Sequence, residues 1–182
     1  MQKIVLRFGL ASGALLVAMA SITVPLCMSG ADFEYSEILG YSEMVLSFLL
    51  VFFGVRSYRD NVAGGSIGFG KAFQVGLLIT LITCAMYVIA WEITYFNFFP
   101  NFLDQYSAHV IAKMRSTGAS EAAIRETTAK MADLAKHYTN PLFNSAITFM
   151  EVFPVGLIMT LISAAILRRK PREEAPASVV PA

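Results

Sequence analysis

The sequence predicts an all-α integral membrane protein. The architecture is a four-helix bundle with both termini cytoplasmic and an extracytoplasmic amphipathic helical hairpin between spans three and four. Three observations predict it. Of 182 residues, 56% are hydrophobic and only 15% charged, and the mean hydropathy of +0.60 is too high for an ordinary soluble domain. Four runs are long enough, at about 1.5 Å rise per residue, to cross a hydrocarbon layer about 30 Å thick. Lys and Arg near the ends of those runs gather on one side of the four-span arrangement.

The spans cover roughly residues 8–28, 38–55, 72–96 and 142–167 of a single membrane domain, 1–169. The first has the basic flank and apolar middle of a secretory signal, and Ser29 with Ala31 offers a small-x-small cleavage site. Its apolar run is longer than such signals carry, and Gly9 and Gly13 stand at the spacing that lets membrane helices approach closely, so a retained helix is expected. Lys3, Arg7, Arg56, Arg59, Lys71, Arg168, Arg169, Lys170 and Arg172 share one side, which the positive-inside rule makes cytoplasmic. The first loop on the other side holds Asp32, Glu34 and Glu37 and no basic residue.

Between the third and fourth spans, residues 99–138 predict two amphipathic helices. Phe102, Tyr106, Val110 and Met114 recur at helical spacing, and so do Ile124, Thr128, Met131, Ala135 and Tyr138. Gly118 suits a left-handed C-terminal position, Ser120 an N-cap, and Glu121 the first turn of the second helix. Asn140-Pro141 opens the fourth span, because proline is tolerated in a first helical turn. The tail, 170–182, is charged and then rich in Pro, Ala and Val, which predicts a disordered cytoplasmic end.

A formal charge of +1 gives no reason to expect nucleic acid. Cys27 and Cys84 lie in apolar runs without metal-ligand spacing and read as packing thiols. The loop Gly65-Ser66-Ile67-Gly68-Phe69-Gly70-Lys71 fits a phosphate-binding pattern up to its last position. Ala72 replaces the hydroxyl that would hold magnesium, and no strand precedes the loop, so no nucleotide is expected. Arg59, Asp60, Gly64, Gly65, Gly70 and Lys71 are read as structural: an ion pair, a glycine turn and a headgroup anchor.

The sharper signal is Glu43, Glu92 and Glu151, three carboxylates inside apolar spans. They stand about 20, 32 and 26 Å from Arg56, Lys71 and Arg168 along their helices, in the outer half of the layer. An ionised group at that depth costs about 2.5 kcal/mol or more, so it faces water, a partner or the bundle interior. Glu43 shares a helix face with Gly40 and Ser47, and Glu151 with Asn144 and Thr148. Glu92 projects away from the stripe of Thr80, Thr83 and Tyr87 and sits beside Trp91 and Tyr95, as an interfacial residue does. His109 and His137 lack a metal spacing, and no cofactor is expected.

Tyr58-Arg59-Asp60, Gly64-Gly65, Phe69-Gly70-Lys71-Ala72-Phe73, Gly118-Ala119-Ser120 and Asn140-Pro141-Leu142 together resemble an uncharacterised bacterial membrane family, domain of unknown function 4199. The resemblance runs from the first span to about Arg169. It implies four helices and a bacterial inner-membrane location, with acidic positions near Glu43, Glu92 and Glu151, and it implies no activity.

Two functions of different classes follow from the residues. One is a non-enzymatic accessory or assembly protein whose partners are the bilayer and either a second copy or another membrane protein. The other is a small cation- or proton-linked transporter or channel that uses the outer-half carboxylates. A membrane hydrolase on the same carboxylates lacks the ligand density that hard metals need.

Overall fold

The computed structural model describes residues 1–28 and 33–169, without side chains at 27, 28 and 33–37. The expectations for the Ser29 and Ala31 cleavage site, Lys170, Arg172 and the tail 170–182 lie outside the described residues. So do those for the Cys27, Asp32, Glu34 and Glu37 side chains.

Among the described residues the chain forms six helices. They are α1 (Gln2–Met28), α2 (Phe33–Asn61), α3 (Phe69–Asn97), α4 (Phe102–Ser116), α5 (Glu121–Tyr138) and α6 (Pro141–Leu167). Four of them, α1, α2, α3 and α6, are long and apolar enough to cross a membrane. α1 begins before residue 8, and α2 runs past both ends of 38–55. Hydropathy marks the apolar stretch alone, whereas backbone hydrogen bonding continues through flanking polar residues such as Arg56 and Arg59.

Side-chain contacts set an up-down register. Ser12 Oγ donates to the Ser47 carbonyl at 2.8 Å, and the Thr80 and Thr160 hydroxyls lie 2.9 Å apart. Gly9 and Gly13 bring α1 onto α3: a Cβ on Gly9 would lie 2.8 Å from Ile82 Cβ, and one on Gly13 would lie 2.5 Å from Met86 Sδ. The core between the four helices contains Phe48, Val51, Ile79, Cys84 and Val152, all fully buried. Buried hydroxyls of Ser12, Ser47, Thr80, Thr83 and Thr160 run through it. Such groups join helices where lipid offers no hydrophobic drive for association.

The connection from α2 to α3 is a latch at the end of the bundle that carries Arg56, Arg59, Lys71, Arg168 and Arg169. Gly64 (φ 64°) and Gly65 (φ 83°) reverse the chain, as a Cβ would disfavour, and Gly65 N–H donates to the Arg59 carbonyl at 2.9 Å. Ile67 and Arg169 then exchange both backbone hydrogen bonds, at 3.1 and 2.9 Å, and tie this loop to the end of α6. Arg59 Nε meets Asp60 Oδ1 at 2.7 Å, and Lys71 Nζ donates to Gln74 Oε1 at 2.9 Å. Gly70 does not belong to the turn: it lies in the first turn of α3 with open space around it.

At the other end α4 and α5 pack on each other and on the ends of α3 and α6. Gly118 takes φ 76° after α4, Ser120 Oγ accepts from Ala123 N–H at 3.3 Å, and Asn140 Oδ1 accepts from Leu142 N–H at 2.9 Å. These caps satisfy backbone groups that helix ends leave open. The buried stripes differ from the expected ones. Leu103 is buried beside Phe102, and Thr127 lies nearer the packed face of α5 than the exposed Thr128. From Ile124, a step of three keeps closer to the stripe of Met131, Leu134 and Tyr138 than a step of four.

Candidate functional site

The ends of α1, α2, α3 and α6 that carry α4 and α5 enclose a cavity of about 460 Å³. Its walls include Glu43 and Met44 from α2, Tyr87 and Trp91 from α3, and Thr148 and Glu151 from α6. Phe102, Leu103 and Tyr106 of α4 and Leu134 and Tyr138 of α5 close it from above. The roof is tied to α3 by a hydrogen bond from Trp91 Nε1 to Tyr138 Oη at 3.0 Å. Around it the rings of Tyr95 and Tyr138 meet edge to face at 5.1 Å, as do those of Trp91 and Phe102. Edge-to-face pairs of this kind fix ring orientation as well as burying area.

Two of the three carboxylates reach this cavity. Glu43 is 8% exposed, and its Oε1 accepts the hydroxyl of Thr23 from α1. Oε2 has no hydrogen-bond partner among the described residues. Glu151, which is accessible on the opposite wall, has neither a hydrogen bond nor an ion pair among the described residues. Thr148, one turn before it on the same face, points its Oγ1 at Asn144 Oδ1 at 3.3 Å.

Glu92 lies apart from them. Its Oε1 accepts from Ser145 Oγ at 2.9 Å, which makes it a clamp between α3 and α6 outside the cavity wall. Of the histidines, His137 is exposed, with Nδ1 2.9 Å from the Asp133 carbonyl. His109 lies on α4, one turn after Tyr106, and is not among the wall residues. Among the described residues no three His, Cys, Asp or Glu side chains group so as to hold a metal ion.

Below the carboxylates the bundle is close-packed. One turn beyond Glu43, Ser47 and Phe48 are fully buried, and the Phe48 ring lies against Gly156. The Ser47 hydroxyl has no hydrogen-bond partner among the described residues. The cavity is therefore closed toward the end of the bundle that carries the α2–α3 loop. A wider groove along Ile38, Val45, Leu46 and Leu49 of α2 is apolar and open, and suits acyl chains.

Thr23, Tyr106 and Tyr138 complete the site and were not legible as site residues. Thr23 is one hydroxyl in an apolar run, and the two tyrosines occupy helices whose docking only the fold decides. The weak signal was their register, since Tyr106 and Tyr138 already fell on the two amphipathic stripes.

A model of one protein family matches residues 7–169, under the description protein of unknown function (DUF4199). No curated protein matches the chain. No solved structure matches it.

Proposed function

Since the chain belongs to the DUF4199 family, whose description names no activity, we propose from the geometry that it is a small cation-linked carrier. In this reading it lies in a bacterial inner membrane with both termini cytoplasmic, and α4 with α5 stands on the outer face. The observation that carries the reading is the pair Glu43 and Glu151 on the walls of one cavity, on two helices long and apolar enough to cross a membrane. Acids in such places are costly and mark pathways for ions or protons.

The packed layer at Phe48 and Gly156 favours a carrier over an open channel, because a channel needs a continuous lumen. Pro154 supports movement in the same place. Three residues beyond Glu151, it supplies no N–H to the Met150 carbonyl, which leaves α6 short of one hydrogen bond beside the site. The Ser47 hydroxyl, without a partner one turn inward of Glu43, offers the next polar contact along that route.

The test is flux in proteoliposomes. Glu151→Gln leaves the protein folded and abolishes a pH- or ion-dependent flux, while Glu92→Gln, outside the cavity, preserves it. Unchanged flux in Glu151→Gln would remove that residue from the mechanism. A wild-type protein without flux that retains a stable partner in mild detergent would return the accessory role, which gives the cavity no task.

A further inference from the structure

The same cavity carries more information than the presence of two acids. Resting on the carrier reading, in which Glu43 and Glu151 hold a cation, we infer that the cation is an organic ammonium ion, a substituted or quaternary amine with apolar groups.

Size comes first. About 460 Å³ is the scale of a small organic ligand and far exceeds a dehydrated metal ion. Donor chemistry agrees. Calcium takes about six to eight oxygen ligands and magnesium a near-ideal octahedron, whereas the described wall offers two carboxylates on different helices and a few hydroxyls. No wall residue is Lys or Arg, so an occupant meets negative charge uncompensated by the cavity itself. Glu43 is more than nine-tenths buried, and its Oε1 accepts from Thr23.

The rings decide between ammonium classes and a hydrated ion. Tyr87, Trp91, Phe102, Tyr106 and Tyr138 all contribute to the wall. The faces of aromatic rings attract cations within about 6 Å, and desolvated contacts of this kind contribute about 2 kcal/mol or more. Phe102 and Tyr106 are parallel to within 4°, and Trp91 stands edge-on to Phe102 at 84°, so the roof presents a cluster of rings in mutual contact. Met44, Leu103, Leu134 and Ile147 supply apolar wall between them. An alkylated or benzylic ammonium matches the composition of this lining: charge for the carboxylates, aromatic rings for the cation, carbon against carbon elsewhere.

Trp91, the only tryptophan in the chain, reports occupancy directly. The purified full-length protein is titrated with tetraethylammonium, benzyltrimethylammonium, K⁺, Mg²⁺ and neutral benzyl alcohol, reading Trp91 emission and, independently, heat. The expected result is saturable binding of the ammonium ions, with little response to K⁺, Mg²⁺ or benzyl alcohol. Tyr106→Ala is expected to weaken ammonium binding about tenfold, the scale of one cation–π contact, and Glu151→Gln at least as much. Both variants are checked for an unchanged unfolding midpoint, and Tyr106→Phe, which keeps the ring, restores affinity.

Saturable K⁺ or Mg²⁺ binding without ammonium binding overturns the ligand class and leaves the carrier reading standing. Benzyl alcohol binding as well as the ammonium ions overturns it too, since the site would then select for apolar surface alone. No binding of any cation overturns both.

Discussion

Tyr138 joins three roles in one side chain: it caps the cavity, accepts from Trp91 and packs edge-on against Tyr95. Burial is the main reason its phenol is pushed above the ordinary value of 10.0, with hydrogen bonds from Thr148 and Trp91 pulling the other way and the Glu151 carboxylate adding to the rise. A folded-state value above the unfolded one means that the neutral phenol stabilises the fold. That contribution is complete below the unfolded value and is lost as pH rises through it toward the folded one. Raising the pH from about 8 to about 11 is therefore expected to loosen α5 from α3 and red-shift Trp91 emission. Tyr138→Phe should flatten that alkaline response while lowering stability at neutral pH by about 1 kcal/mol, the scale of one hydrogen bond. An equally steep alkaline transition in Tyr138→Phe would assign it to another group.

Among the elements, α6 packs on α2, α3 and α5, and its end is latched to the loop before α3. Its closest approach is at Gly156, where a Cβ would lie 2.5 Å from Thr80 Cγ2 and 2.7 Å from the Phe48 ring. Both neighbours are fully buried and cannot withdraw, so Gly156→Ala is expected to cost about 1 to 3 kcal/mol of stability. Gly40, on α2 at the cavity wall with nothing within 4 Å of its would-be Cβ, provides the contrast. Gly40→Ala should be neutral or stabilise by up to about 1 kcal/mol through helix propensity. Thermal unfolding in one detergent compares the two, and equal effects would contradict the packing at Gly156.

For the whole molecule, the apposition of Ile67 with Arg169 and of Phe8 with Gly54 puts the N-terminal end, the α2–α3 loop and the end of α6 at one pole. α4 and α5 occupy the other. In the proposed orientation, with the basic pole cytoplasmic, a membrane-impermeant maleimide applied to intact cells is expected to label Thr117→Cys and to spare Ser66→Cys. Cys27 is replaced by Ser in both, and Cys84 is buried. The reverse pattern would invert the topology.

The sequence alone determined the four long helices, the turn and N-cap between α4 and α5, and the positions of those two helices along the chain. Transfer of apolar side chains from water, the φ > 0 preference of Gly118 and the capping oxygens of Ser120 and Asn140 are local properties, each readable within a few residues. It also set three acids about 20, 32 and 26 Å along their helices from the basic anchors, because rise along a helix is fixed. Which of them meet was settled by the tertiary structure. Helical periodicity gives angles between residues of one helix, but the rotation of each helix about its own axis is set by contacts between helices. Gly9 against Ile82 and Gly156 against Phe48 are two such contacts. Those rotations put Glu43 and Glu151 on one cavity and turned Glu92 to Ser145. They also brought Thr23, Tyr106 and Tyr138, distant in sequence, to the same cavity wall.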